Sequence, residues 1–327
     1  MTMLDKMISL IRKSAISVLT KAYLAVNELL CWRASKSLRL VRAAETPDGL
    51  TVFTVIRNEA HQLAQFFEHY RSLGFSHFCV VDNGSTDGSS EFLKAQKDVS
   101  LYQTGSSFRN SGGGTRWRHS LIKRHGLNRW ICRVDADEYL VFSKELGHSI
   151  QEVIVQLEQA GLKRLFAPMV DLYKIDDSAL EYFDAFPEVK RTRPRGCELW
   201  GGVRRRLARK DNPEECGPML SKYPLSYYDR HTAYTEPHFP HPHERNSGEI
   251  YGRLLHRKMT TWSLSRIETA IEEGQHWNHG VEYKRYKRWV GLPLLFENSR
   301  IYSSPEDLIV AGLLQTCPLS CAPTKTP

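Results

Sequence analysis

TVFTVIRNEAHQLAQFFEHYRSLGFSHFCVVDNGSTDGSSEFL, residues 51–93, decides the fold. It opens with an apolar run at 51–56 that reads as a strand buried on both faces. Apolar residues then recur at Leu63, Phe66, Phe67, Tyr70 and Leu73, a helical stripe stopped by Gly74. HFCVV at 77–81 is a second buried strand, so strand, helix and strand form a βαβ unit.

Downstream the alternation continues. A helix is expected near 89–95, a strand near 99–103, a helix near 115–125 and a strand, WICRV, at 130–134. Short apolar strands separated by single helices imply an α/β fold, Rossmann-like, whose mainly parallel sheet is covered by helices on both faces. Ligands of such sheets collect at the carboxyl ends of the strands. Three polar segments fall there: Arg57-Asn58-Glu59, the Asp82–Gly88 loop DNGSTDG, and Asp135-Ala136-Asp137-Glu138.

The second half is less regular. LFAPMV at 165–170 and IYGRLLHRKM at 250–259 read as strands, and 262–274 as a helix ended by Gly274. The basic stretch 190–224 announces no fold of its own. Upstream, a Thr46-Pro47-Asp48-Gly49 turn separates the sheet from residues 1–48, a basic segment expected to be an amphipathic helix. Its apolar positions are Leu4, Met7, Ile8, Ile11, Ala15, Val18, Leu19 and Ala22, interrupted too often by Lys and Arg for a spanning helix or a signal peptide. Such a helix packs on the domain or on a twin of itself, or lies on an anionic membrane. The expected domain covers 49–312 in two halves, 49–145 and 146–312, followed by a frayed tail at 313–327.

Composition is that of an ordinary folded chain, and a formal charge of +8 favours acidic partners. Seven cysteines, scattered and without a CxxC pair, argue against a disulfide framework or a zinc knuckle and suit the cytoplasm. Cys79 and Cys132 sit in apolar runs and read as core.

Asp135 and Asp137 follow a buried strand, with Glu138 beside them. Carboxylates serve a diphosphate ligand only if a divalent cation lies between, and oxygen donors suit Mn²⁺ or Mg²⁺. An acidic cluster at a strand end is as often a solvated loop. Asp82 is placed to accept hydrogen bonds from a base or ribose, or merely to cap a turn. Arg109, in the Gly/Ser loop 105–114, lies at the same edge and could close over a phosphate.

The segments at 51–93 and 130–142 together resemble bacterial family 2-like glycosyltransferases of the GT-A type. Asn58-Glu59, the Asp82–Gly88 loop and Asp135-x-Asp137-Glu138 come in that family's order and spacing. The resemblance is strong over 50–142 and weaker through LWGGVRRRLARK, LSKYPL and LLHRKM. It implies that 49–145 is the nucleotide-sugar half and 146–312 the acceptor half. It further implies that Glu59 and Asp82 hold the nucleoside, that Asp135 contacts ribose or metal, that Asp137 ligates the metal, and that His256 completes the shell. His238, His241 and His243 are rival ligands, read as a rigid exposed loop near the acceptor.

Glycosyl transfer needs a base to deprotonate the acceptor hydroxyl. Glu198 is the candidate, with Asp171 and Asp229 as rivals. Arg204, Arg205 and Arg206, with Arg191, Arg193 and Arg195, are candidates for binding the diphosphate or an anionic acceptor. The resemblance implies an inverting transfer to a glycan or lipid-linked acceptor, in polysaccharide or lipopolysaccharide assembly at the inner face of a bacterial membrane. Two other readings stay open: a non-catalytic nucleotide- or carbohydrate-binding module on the same fold, and a basic nucleic-acid-binding protein. The second is disfavoured by interleaved carboxylates and by the lack of any helix-turn-helix, zinc or single-strand-binding signature, so no nucleic-acid partner is expected.

Overall fold

The computed structural model describes residues 3–316 except 177, 260–263, 274–276 and 293, and the side chains of residues 3–17 are not described. Helix α1 (Met3–Ser35) leads into strand β1 (Arg39–Arg42), which pairs antiparallel with β4 further on. Within the segment 1–48, expected to be helical, α1 ends at Ser35 and residues 39–42 join the sheet as β1. The apolar positions expected at Leu4, Met7, Ile8, Ile11 and Ala15 lie outside the described side chains.

Next come β2 (Thr51–Ile56), α2 (Ala60–Ser72), β3 (His77–Asp82), α3 (Ser89–Ala95), β4 (Val99–Gln103), α4 (Thr115–His125) and β5 (Arg129–Arg133). Each matches its expected element to within two residues. The rest comprises β6 (Glu138–Phe142), α5 (Ile150–Gln159), β7 (Met169–Asp171), β8 (Glu181–Asp184), β9 (Val189–Arg193), β10 (Gly196–Trp200), α6 (Gly202–Asp211), β11 (Leu225–Tyr228), β12 (Gly252–His256), α7 (Leu264–Glu273), α8 (Trp277–Trp289), β13 (Ser299–Tyr302) and α9 (Pro305–Val310).

The main sheet has the order β1-β4-β3-β2-β5-β11. Strands β2 to β5 run parallel, and β1 and β11 close the edges antiparallel. Period-2 alternation divides the core between two faces. Val52 and Ile56 pack with Phe66, Phe67 and Tyr70 of α2, whereas Phe53 and Val55 pack with Trp117 and Leu121 of α4. Strands buried on both sides need helices on both sides, which is why β2 and β3 are buried at every position and apolar except at Thr51, Thr54, His77 and Asp82. Cys79 and Cys132 lie in this core, and the five described cysteines are free thiols. Cys317 and Cys321 lie outside the described residues.

A smaller sheet, β6-β12-β7, carries the link to the second half. There β12 lies antiparallel to β6 and parallel to β7. The start of the expected tail is docked, not frayed: Leu314 is buried, and the Gln315 amide donates to the Ile250 carbonyl at 3.1 Å. Residues 317–327 lie outside the described ones.

Two core histidines make stability acid-sensitive. His77 sits between the Thr51 hydroxyl (3.0 Å) and the Ser100 hydroxyl (2.9 Å), and His69 Nε2 lies 2.8 Å from the Leu140 carbonyl. Burial lowers both to about 4 from 6.5. The folded state then binds fewer protons than the unfolded chain between those values. Their contribution is complete above pH 6.5 and is lost as pH falls toward 4. The free energy of urea unfolding should drop across that window with a limiting slope of at least about 3 kcal/mol per pH unit from these two protons, since buried His238 is lowered to about 4 as well. A flat profile would show that neither ring is held neutral.

Candidate functional site at the carboxyl edge

The strand order reverses direction at β2: the chain runs β2, β3, β4 to one side and then crosses to β5 on the other. A crevice opens at the carboxyl ends on either side of such a switch point. Glu59 follows β2, Asp82 ends β3, Arg109 follows β4, and Asp135 and Asp137 follow β5. Topology alone thus brings the candidates of the first half to one edge.

The loops after β2 and β3 are bound to each other. Asn58 takes a left-handed φ of 57°, and its side-chain oxygen accepts from the Thr86 amide at 2.8 Å. Asp87 accepts from the Ala60 amide at the start of α2 (2.9 Å) and the Ser89 amide at the start of α3 (3.0 Å), so one carboxylate caps two helices. Burial works against its charge, but these bonds and the Ser89 hydroxyl outweigh burial and hold the carboxyl below its ordinary value. Asp82 is 1% exposed and accepts from the Ser85 amide (2.9 Å) and the Gln103 side chain (3.2 Å). Glu59 accepts from Gln62 at 2.6 Å. Arg109 is exposed in the loop that reaches α4 through Gly112, Gly113 and Gly114, all at positive φ.

Tyr70 fixes the acidic segment to α2. Its hydroxyl donates to the Glu138 carbonyl (2.8 Å) and accepts from the Leu140 amide (3.1 Å). Asp135 then turns one oxygen to Arg118 of α4 (2.5 Å) and the other to Lys222 (3.5 Å), which also reaches buried Glu138 (2.8 Å). Burial opposes the Asp135 charge, but the two cations prevail and hold its carboxyl far below the usual range.

His256 arrives through the small sheet, where it is the register partner of both Glu138 and Asp171. Its Nδ1 lies 2.6 Å from Asp171 Oδ1, and its Nε2 lies 3.4 Å from Asp137 Oδ2. The other Asp171 oxygen accepts from Arg204 Nε at 2.7 Å. Burial would lower the imidazole pKa, but Asp137 and Asp171 raise it to about 9. Asp171 is itself held at about 2: burial raises it, and Arg204 and His256 overcome that.

Asp137 and His256 can be tested as cation ligands. An oxygen and a nitrogen about 2.1 Å from one divalent ion stand about 3 Å apart when at right angles, close to the spacing found. The N–H donated to Asp171 directs Nε2 at Asp137, as in a metal-binding imidazole held by a carboxylate, and a cation there would displace the proton that Nε2 holds against Asp137. The pair fits a cation, and an oxygen-plus-imidazole set suits Mn²⁺ better than Mg²⁺. Among the described residues no set of three or more His, Cys, Asp or Glu side chains is arranged to hold a metal. A cation here would draw its remaining ligands from substrate and water.

The other candidates are placed differently from expectation. Glu198 is 8% exposed, with Oε1 2.7 Å from Arg195 and Oε2 3.6 Å from Arg193. Asp229 is paired with Arg245 at 2.8 Å. Arg204 and Arg206 are not ligand-facing cations: they pair with Asp171 and Asp184, and Arg205 donates to the Pro187 carbonyl at 2.8 Å. Nor do the histidines form an exposed loop. His238 Nδ1 lies 2.7 Å from the Ser221 carbonyl, and buried Arg164 donates to the carbonyls of Pro240 and Pro242 (2.9 and 2.8 Å) and of His241 (3.0 Å).

Sequence reasoning missed Arg118, Lys222 and Glu236. Arg133, at the end of β5, donates to the Pro237 carbonyl at 2.6 Å, which ties the residue after Glu236 to the strand that leads into the acidic segment. Burial raises the Glu236 pKa above its ordinary value, and the nearest cation, Arg195, stands 3.7 Å off.

Comparison with known proteins gives a partial match. Over 92 residues the chain is 38% identical to glycosyltransferase AglJ of Haloferax volcanii, which amounts to 28% of each chain. The mannosyltransferase PcManGT of Pyrobaculum calidifontis, solved with GDP-Man and Mn²⁺, is 18% identical and covers 49% of this chain and 47% of its own, at a TM-score of 0.27. An overlay that weak carries no argument. No protein-family model matches. The chain is glycosyltransferase-like over the segment shared with AglJ, and spans little more than a quarter of that relative's length.

Proposed function

We propose that this chain is a GT-A-type glycosyltransferase that moves a sugar from a nucleotide-sugar to a glycan or lipid-linked acceptor. The supporting observation is the meeting of Asp137 with His256, 3.4 Å apart, at the carboxyl edge beside the β2–β5 switch point. Asp137 and His256 would hold a divalent cation, Mn²⁺ or Mg²⁺, which when bound supplies charge neutralisation for the diphosphate and the leaving nucleotide. Asp171 fixes the tautomer and direction of His256. Arg118 and Lys222 keep Asp135 ionised and oriented toward the donor ribose. Glu59 lies where a base would enter, while Asp82, engaged by Ser85 and Gln103, shapes that loop.

A base must have a free lone pair and a pKa near the working pH. Glu198 has both oxygens against arginines, and Glu236 meets the requirement better. Glu236→Gln is expected to lower transfer by about 10²–10⁴-fold, with donor binding unchanged, since general-base catalysis contributes that much. Assay of Mn²⁺-dependent transfer and donor hydrolysis with UDP-, GDP-, CMP- and TDP-sugars tests the whole reading. Binding without turnover of any donor, alike in wild type and Glu236→Gln, would instead support the non-catalytic module. The inverting outcome and a role in surface polysaccharide or lipopolysaccharide synthesis belong to the same proposal, tested by product stereochemistry and by surface glycans of a deletion strain.

A further inference from the structure

Helix α1 lays a mixed side, with Asn27, Glu28, Cys31 and Ala34, on the domain and leaves a broad apolar side outward. Toward α4, Asn27 and Cys31 are buried, Glu28 reaches His119 Nε2 (3.2 Å) and Lys123, and the Ser120 hydroxyl donates to the Cys31 carbonyl (2.8 Å). These bonds fix the rotation of the helix about its axis. The bond from His119 outweighs burial, which alone would raise the Glu28 carboxyl, and together with Lys123 holds it at about 2. Outward stand Val18, Leu19, Tyr23, Val26, Leu29 and Trp32, each between 49% and 70% exposed. At 3.6 residues per turn these six span about 180° of the helix surface. A helix that only packs on a globular domain keeps its widest apolar face inward and its polar face in water.

Charge selects the occupant. Residues 1–36 contain six Lys or Arg and two acidic residues, and one of those two, Glu28, is consumed by the internal contacts. Lys21 and Arg33 are exposed, and the Lys36 ammonium lies 4.9 Å from the Trp32 ring centroid, at the rim of the apolar face. A second copy would bring the same positive charge against itself, whereas acidic headgroups complement it. Aromatic residues beside cations are the composition of helices that lie in the headgroup region. Among the described residues no helix is long and apolar enough to cross a membrane.

We propose that the outward face of α1 from Val18 to Trp32 docks on the surface of a bilayer containing acidic phospholipids, with the helix in the membrane plane. This goes beyond the transferase reading and does not depend on it. The full-length protein is sedimented with vesicles of phosphatidylcholine alone and of phosphatidylcholine mixed with phosphatidylglycerol. At least about tenfold stronger binding to the mixed vesicles is expected, weakening as salt rises. Val26→Asp combined with Leu29→Asp should abolish binding while leaving the melting temperature unchanged, because both side chains are exposed. Lys21→Glu combined with Arg33→Glu should remove the preference for acidic lipid. The proposal fails if wild type stays in the supernatant with both vesicles, or if it binds no better than the Val26→Asp, Leu29→Asp variant. It also fails if light scattering shows a dimer that this variant dissolves without any vesicle binding, the outcome for a second copy.

Discussion

Asp137→Ala should abolish the part of nucleoside-diphosphate binding that requires Mn²⁺ and lower sugar transfer by about 10³-fold or more. Removing one preorganised electrostatic group from an active site costs about 10²–10³ in rate, and a cation with only two protein ligands has little to spare. Asp137 is partly exposed but is a counter-charge of buried His256, so the variant should melt somewhat below wild type without ligand, and each protein's ligand shift is measured from its own unliganded value. The thermal shift with UDP or GDP and Mn²⁺ reports the difference. At a nucleotide concentration of about 100 Kd, wild type should gain about 2.7 kcal/mol and the variant almost none. An Mn²⁺-dependent shift that survives in Asp137→Ala would mean that the cation, if any, binds elsewhere.

The elements of the first half were legible because each carries a strong local signal. Buried strands such as 51–56 and 77–82 are mostly apolar, the stripe of α2 is mainly aromatic, and Gly74, at φ 101°, ends it. Parallel pairing then puts Glu59, Asp82 and Asp135 on one edge by topology, without any knowledge of side-chain contacts. Helix α5 had a signal that went unread: Ser149 accepts from the Glu152 amide at 3.3 Å, the Ser-x-x-Glu start of a helix, and Ile150, Val153, Ile154 and Leu157 repeat at its period. Strand β6 was hidden by its closeness to the acidic segment, whose chemistry dominates that stretch of sequence.

The pairing of distant charges could not be read in this way. Nothing local in Lys190–Pro224 distinguishes an arginine that meets a ligand from Arg204, whose partner lies 33 residues earlier in the chain. The same holds for Lys222, which reaches Asp135 across 87 residues. Register explains how His256 comes to the acidic segment. It lies opposite Glu138 and Asp171 in the β6-β12-β7 sheet, a placement that depends on antiparallel and parallel pairing at once. Strand propensity reveals neither.

Asp171→Asn should destabilise the protein by about 3–5 kcal/mol, the cost of leaving one partner of a buried ion pair without its counter-charge. The Asp171 and Arg204 side chains are 1% and 4% exposed, and one Asp171 oxygen serves Arg204 while the other serves His256. Asparagine fills the same volume but offers a single carbonyl oxygen and no charge, so one of the two donors loses its acceptor. Arg204→Met should lose less, because Asp171 retains His256. The double replacement Asp171→Leu, Arg204→Met should recover part of the loss, since apolar groups can replace a buried pair almost without cost. Recovery cannot be complete while His256 keeps a donor with no acceptor. Urea unfolding with an unchanged m-value measures all three. A loss below about 1 kcal/mol in Asp171→Asn, the size typical of a surface pair, would show that water reaches this triad. The rigidity assigned to His256 would then have to come from the β12 backbone alone.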